Sequence, residues 1–306
     1  MIKIKVVGVG GSGGNAVTRM AKCQIKNVEL IALNTDAQDL SRTRAHLKLR
    51  IGRQITQGLG AGMNPEIGRK SALESRSEIS EILKGADLVF LTYGLGGGTG
   101  SGAGPVVAAV AKELGILTIA IVTKPFSFEG RARLKIAENG LRNLRKNVDT
   151  LVTINNDKLL SLLKSNVSLL NAFWFCDDIL RQAVQGIADL ILLPGIVNVN
   201  FADIKAIMSG AGTAFFGLGR ATGENRAAQA ALAAIKSPLL DVSLKGAQGI
   251  LFNVTGGKDI TLSEINEVAQ AITAQANPAA KIIFGAVQKD KMKPGEIKVS
   301  VIATGF

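Results

Sequence analysis

Apolar positions along the first half of this chain fall into two alternating rhythms. Short runs rich in Val, Ile and Leu at 2–9, 28–33, 87–92, 118–123 and 150–154 have the length and β-branched content of buried strands. Between them, at 16–22, 66–83, 105–114 and 131–145, apolar residues recur three and four apart, as on a helix with one buried face. That alternation predicts a parallel, doubly wound sheet with helices on both faces and a ligand at the carboxyl ends of the strands. A long helix follows from Leu169 to Leu193. It is apolar nearly all round (Phe173, Ile179, Leu180, Val184, Ile187, Leu190), hence buried along most of its length, and Pro194-Gly195 ends it. Beyond it the grammar changes to short helices, strands at 247–254, 281–287 and 296–303, and helices at 224–235 and 262–276. The expected fold is therefore α/β. A doubly wound parallel-sheet domain (1–168) is joined by a long central helix (169–193) to a smaller α/β domain (194–306).

With 47% hydrophobic residues over 306, the chain can bury a full core, which excludes disorder. The longest apolar runs, such as 190–197, contain Pro or Gly and fall far short of a membrane span. The start, 1–7, alternates and enters a glycine loop directly, which reads as a first strand and not a signal peptide. Two cysteines (Cys23, Cys176) and one histidine (His46) exclude a disulfide framework and a zinc site, and the chain reads as cytoplasmic. The formal charge of +12 gathers at Arg42, Arg44, Lys48, Arg50 and Arg53, at 131–146, and at Lys289, Lys291 and Lys293. Such a surface can attract nucleic acid, anionic lipid or an acidic partner, while solvated helix faces are its plainer explanation. Aromatic residues make up only 4% and form no stacking platform among these clusters, so nucleic acid is not an expected partner.

Two glycine loops carry the chemistry. The first, Gly8-Val9-Gly10-Gly11-Ser12-Gly13-Gly14-Asn15, lies between a strand and a helix, where glycines let the backbone approach a ligand and free N–H groups favour phosphate. Alone it also satisfies G-x-G-x-x-G, the fingerprint of a dinucleotide-binding oxidoreductase, with Glu29 or Asp36 near the place of the ribose acid. The second, Gly94-Leu95-Gly96-Gly97-Gly98-Thr99-Gly100-Ser101-Gly102, again joins a strand to a helix, with Pro105 near the helix start. A plain tight turn does not need six glycines in nine residues. Two such turns in one sheet can wrap two parts of a polyphosphate, whereas a dehydrogenase needs only one.

The segment Gly96 to Gly102 resembles the signature loop of the FtsZ/tubulin family. Other stretches resemble FtsZ in particular: Asn34-Thr35-Asp36-Ala37-Gln38, Gly60-Ala61-Gly62-Met63-Asn64-Pro65, Thr123 to Gly130, Asn156 to Leu160, Gln185 to Ile191 and Val301 to Phe306. The similarity runs in order along the whole chain. It implies a GTPase that binds GTP or GDP with Mg2+ and polymerises with itself, head to tail, in cell division at the division site. Among the residues the resemblance assigns to the nucleotide, Gly11 to Asn15 (with Ser12 and Gly13) and Gly97 to Gly102 (with Gly98, Gly100 and Ser101) would cradle phosphates through backbone N–H groups, Thr99 adding a hydroxyl donor, and Gly10, Gly94 and Gly96 belong to the same binding set. Asn34, Asp36 and Pro125 belong to the same set, and Ala61-Gly62 would sit near the terminal phosphate, beside a Met63 that replaces a smaller residue. Glu129 and Arg133, one helical turn apart, would hold the ribose and phosphate edge. Asn156 and Asp177 would read guanine, and Phe173 would stack on it, although core packing is the alternative use of that ring.

In this family a loop of pattern N-x-D-F-A-D from one subunit hydrolyses the neighbour's nucleotide and helps bind a cation. Here the segment reads Asn198-Val199-Asn200-Phe201-Ala202-Asp203. Asp203 keeps one carboxylate, for catalysis and for the metal, with K+ a candidate besides Mg2+; Asn200 replaces the other. An amide orients water but accepts no proton, and loss of an acid/base group costs ~10²–10⁴-fold in rate. Slow turnover is expected, or a GTP-binding filament or regulator with essentially none. The family's flexible tail would lie beyond Phe306, so contacts with division-ring adaptors through that tail are not expected of this sequence.

Overall fold

Each strand expected in the first half is present in the computed structural model, which describes residues 2–23, 25, 27–160, 167–193, 195–239, 243–289 and 292–306. Pro194, the expected helix stop, and Lys291, in the third basic cluster, lie outside the described residues. The chain divides into two compact units, Met1–Val184 and Gln185–Phe306.

In the first unit the elements run β1 (Ile4–Val9), α1 (Gly10–Lys22), β2 (Val28–Asn34), α2 (Ala37–Arg42), β3 (Leu47–Arg50) and α3 (Arg53–Thr56). Next come α4 (Pro65–Glu74), α5 (Arg76–Leu83), β4 (Leu88–Gly94), α6 (Gly98–Glu113), β5 (Leu117–Lys124), α7 (Arg131–Arg145), β6 (Thr150–Asn155) and α8 (Asn156–Leu160). The strands line up in the order β3-β2-β1-β4-β5-β6, all parallel, with Val6 opposite both Leu30 and Phe90. β1, β4 and β5 are buried on both faces, which is why they read as unbroken apolar runs. Val7, Ile31, Leu91, Tyr93, Val107 and Val122 share one core cluster beneath the α6 side of the sheet. Chain order reverses between β1 and β4. At that reversal the carboxyl ends of neighbouring strands leave a crevice.

Three helices differ from the sequence expectation. The stretch 66–83 is two helices, broken at Ser75 (φ −96°, ψ 17°), with Asn64 capping α4 through Glu66 N and Pro65 in its first turn. The glycine loops are themselves helical: α1 begins at Gly10 and α6 at Gly98, so Pro105 stands about two turns inside α6 and not near its start. Glycine is a poor helix former, and the compensation is close approach. A Cβ on Gly102 would run into the Pro65 carbonyl of α4, and one on Gly68 into the Gly98 carbonyl. Gly102→Ala is therefore expected to destabilise the fold by about 1–3 kcal/mol, since backbone must shift to admit one methyl. Thermal unfolding checks this, and an unchanged midpoint would contradict the packing role.

The helix α9 (Leu169–Leu192) starts in the first unit and ends in the second. The second unit continues with α10 (Phe201–Met208), β7 (Gly212–Thr222), α11 (Arg226–Ile235), β8 (Gly249–Gly256), α12 (Leu262–Thr273), β9 (Lys281–Gln288) and β10 (Glu296–Thr304). Its strands run β7-β10-β8-β9, antiparallel except for the last pair. Alternate residues of β10 (Ile297, Val299, Val301, Ala303) enter a core with Phe252, Val268 and Ile272. α12 is started by a capping box in which Thr261 Oγ1 accepts from Glu264 N and Glu264 Oε2 accepts from Thr261 N. β7 was not expected, because its glycines interrupt the apolar pattern. One of them has a use: a Cβ on Gly219 would strike the Ala230 carbonyl of α11.

Candidate functional site

Both glycine-rich helix starts open on the crevice between β1 and β4. Gly10 has φ +70°, a left-handed turn that glycine adopts freely, and a Cβ there would lie 3.2 Å from Gly100 N and 3.3 Å from Thr99 Cβ. The two loops therefore touch. Neither α1 nor α6 has an acidic residue in its first turn, so both positive dipole ends face the crevice unopposed by their own helix. The Thr35 and Thr99 hydroxyls meet at 2.7 Å and tie the end of β2 to the start of α6.

The crevice is a cleft of ≈ 730 Å³ within the first unit. Gly10, Gly11, Ser12 and Asn15 line it from α1, Asn34 and Asp36 from the end of β2, and Ala61 and Gly62 from the loop before α4. Gly94, Gly97, Gly98, Thr99 and Gly100 line it from the second loop, Pro125, Glu129 and Arg133 from the β5–α7 segment, and Asn156, Phe173 and Asp177 from α8 and α9. Four residues expected at the nucleotide do not line it. Gly13 packs α1 onto the Thr92 carbonyl, Gly96 (φ +97°) makes the turn, Ser101 Oγ accepts from Gly96 N at 2.9 Å, and Gly102 packs on α4. Their glycine and small-residue character serves the loop's shape.

One end of the cleft is built of backbone amides and short polar side chains. Asn34 Nδ2 donates to Asp39 Oδ2 (2.8 Å), Asn34 Oδ1 accepts from Asp36 N (3.2 Å), and Asp36 Oδ1 accepts from Asp39 N (2.9 Å). A Cβ on Gly11 would lie 3.1 Å from Asp39 Oδ2, so this triad stands directly over the first glycine loop. Asp39, Arg42 and Cys176 also line the cleft and were not foreseen. For Asp39 a signal existed, since Asp36 caps α2 and Asp39 is the third helical residue, whose N–H the cap side chain takes.

At the other side the polar groups are buried and specific. Asn156 is 5% exposed, and its Oδ1 has no hydrogen-bond partner among the described residues. Leaving such an acceptor empty costs about 1–3 kcal/mol, so it marks a place for a donor. Asp177 is also buried. Burial pushes its carboxyl up to about 6, against the pull of Arg19, whose Nε donates to Oδ2 at 3.1 Å. Glu129 is fixed at both oxygens, Oε1 by Phe126 N (2.9 Å) and Oε2 by Arg133 Nη1 (3.0 Å). Phe173 meets Phe126 edge-on at 5.4 Å yet stays 38% exposed at the cleft, which leaves a ring surface for a ligand. The set suits a molecule with an anionic chain, a planar ring and a ring edge carrying donors.

The three catalytic candidates belong to the second unit. Asn198 is exposed and accepts through Oδ1 from Gly195 N (2.7 Å). Asn200 is the exposed N-cap of α10 without a side-chain cap bond, and Asp203 stands in the first turn, its N–H donating to the Asn200 carbonyl at 3.1 Å. No group of three or more His, Cys, Asp or Glu among the described residues is placed to hold a metal ion. Among the described residues no helix is long and apolar enough to cross a membrane.

Comparison with known proteins gives a consistent set of likenesses. Residues 3–164 match the model described as Tubulin/FtsZ family, GTPase domain, and residues 212–306 match that of the FtsZ family, C-terminal domain. The structure is similar to that of an empty FtsZ dimer from M. jannaschii, with 45% identity, a TM-score of 0.96, and coverage of 100% of this chain and 88% of that one. A mutant FtsZ from M. jannaschii matches at 45% identity and TM-score 0.96, over 99% of this chain and 91% of that one. A GTPγS-bound protofilament of CetZ2 from Haloferax volcanii shares the fold at 20% identity and TM-score 0.83, over 99% and 92%.

Proposed function

Because the chain belongs to the Tubulin/FtsZ family, we propose that its cleft binds GTP and GDP and that the bound nucleotide drives head-to-tail assembly into filaments. The observation that carries this reading is the meeting of two glycine-rich helix starts over one cleft, where their amides can take a polyphosphate. Asn156 and Asp177 then supply the acceptors that the guanine edge, with its ring N–H and exocyclic amine, requires. Phe173 covers the base, and the Glu129–Arg133 pair stands at the ribose and phosphate edge.

Hydrolysis is assigned to a neighbouring subunit. The segment Asn198 to Asp203 of one copy would face the nucleotide of the next, with Asp203 polarising the attacking water and Asn200 only orienting it. Turnover is then slow. A filament with essentially no hydrolysis is the second reading, favoured by the amide at position 200. The carboxylates beside the first glycine loop, Asp36 and Asp39, are engaged with backbone and Asn34, so Mg2+ fits as an ion carried mainly on phosphate oxygens, where it would neutralise charge. K+ at the loop would have the lone carboxylate of Asp203 as its charged donor. Such filaments would act in the cytoplasm at the division site, with adaptor proteins as further partners.

Sedimentation with GTP, GDP and a slowly hydrolysed analogue tests the proposal. Pelleting is expected with GTP and with the analogue above a critical concentration, and little with GDP. An open head-to-tail interface extends without closing. Pelleting that ignores the nucleotide would overturn the reading.

A further inference from the structure

Asp177 does not stand alone in its pocket. Arg19, near the end of α1, reaches across to α9 and donates from Nε to Asp177 Oδ2 at 3.1 Å, linking positions 158 residues apart. Both side chains are mostly covered, 24% and 12% exposed. The guanidinium is held from a second direction by Trp174, one turn before Asp177, whose ring centroid lies 5.2 Å from Arg19 Cζ. Arg19 itself does not line the cleft. It touches the residue that does.

We propose that Arg19 is a positioning residue for base selection, keeping Asp177 ionised and its free lone pairs turned to the nucleotide. This rests on the assignment of Asp177 as the guanine reader. The hydrogen-bond inventory permits it: a carboxylate has about four acceptor sites, and one bond from Nε leaves enough for the two donors of guanine. A protonated Asp177 would instead set its own O–H against those donors. Without Arg19 the surroundings favour that neutral form. Burial is the largest influence and raises the carboxyl, and Asp178 acts in the same direction, its own charge engaged by Arg181 at 2.7 Å. Of the other groups near α9, the Cys176 thiol is pushed up to about 12 by burial and stays neutral, and Glu129 is paired with Arg133. Arg19 pulls the other way, and Asp177 still reaches only about 6.

The sign of the pH dependence follows. Guanine needs the ionised carboxylate, so affinity is held above about 6 and lost as pH falls through that value. For one proton the loss approaches about tenfold per pH unit well below the midpoint. Removing the arginine moves the midpoint upward, into the neutral range.

The experiment is a calorimetric titration of GDP, ADP and IDP (which lacks the exocyclic amine) into the parent protein, Arg19→Gln and Arg19→Lys, at several pH values from mildly acidic to mildly alkaline. In Arg19→Gln the GDP midpoint is expected to rise by about one pH unit or more. For a one-unit rise the affinity at neutral pH then falls about twofold and the deficit approaches about tenfold on the acid side of both midpoints, with recovery to near the parent's value on the alkaline side. The GDP-over-IDP preference should weaken and recover with the same midpoint. Arg19→Lys keeps the charge but loses the planar fork, and its midpoint should rise by a smaller amount, about half a unit. A variant that is weaker by one factor at every pH, with the parent's midpoint, would show a packing role and overturn the proposal. Should Arg19→Gln not fold, an unshifted midpoint in Arg19→Lys overturns it equally. A parent protein that takes ADP as well as GDP fails earlier, on the assignment of Asp177, and is recognised without either variant.

Discussion

Asp177→Ala should remove most of the protein's preference for GTP over ATP. As the proposed guanine reader the carboxylate would accept from two donors, and hydrogen bonds to a charged group are worth about 1.5–3 kcal/mol each, so the preference should shrink by roughly 10²–10⁴-fold. A pocket built to pair a specific edge discriminates this strongly because the wrong partner leaves buried polar atoms empty. Affinity for ATP should change little, since the cleft-lining amides at Gly10 to Ser12 and Gly97 to Gly100, proposed to hold the phosphates, are untouched. Stability moves differently from binding. The carboxyl of Asp177 is raised from 3.8 to about 6, so its contribution to folding is fully present below the unfolded value and is lost as pH rises through about 6. At neutral pH the fold therefore holds a charge that burial disfavours, and the alanine variant should unfold at a midpoint close to the parent's. Competition binding with the two triphosphates and one thermal melt check both halves. A variant that still prefers GTP would remove Asp177 from the base site.

Asn200→Asp is expected to raise GTP turnover in filaments at least tenfold. An amide can direct a water but cannot take its proton, and a positioned carboxylate contributes about 10²–10⁴-fold in such steps. The substitution is mild structurally: Asn200 is an exposed N-cap whose side chain makes no cap bond, and aspartate is as good a cap as asparagine. Nucleotide affinity should hardly move, because residue 200 is assigned to the neighbour's nucleotide. Asp203→Asn in the parent should abolish what turnover remains. Phosphate release per assembled subunit at saturating GTP compares the three. If Asn200→Asp assembles normally and hydrolyses no faster, the slow step lies outside this loop.

How much of this was legible in the sequence depends on how locally each feature is written. β1, β4 and β5 are buried on both faces and announced themselves as apolar runs. β3 is four residues, two of them charged, on the edge of the sheet, and had no such signature. β7 was hidden by its glycines, one of which, Gly219, admits α11. The glycine loops were visible as phosphate-type turns, but their helical conformation was not, because glycine argues against a helix unless another backbone lies against it. That partner is distant in sequence in both cases: the Thr92 carbonyl of β4 for Gly13, and the Pro65 carbonyl of α4 for Gly102. Phe173 and Asp177 were placed by family resemblance, since nothing about F-W-F-C-D-D alone points to a base. Arg19 was beyond reach altogether, because its partner lies 158 residues away.

In the proposed filament one copy binds the nucleotide and the next completes the site. The most direct measurement of this is the initial rate of phosphate release from GTP as protein concentration is raised from well below to well above the onset of pelleting. Almost no release is expected below a threshold, then a rise that coincides with sedimenting protein. Release strictly proportional to protein concentration, with no threshold and no pellet, would contradict it and place the whole active site within a single chain.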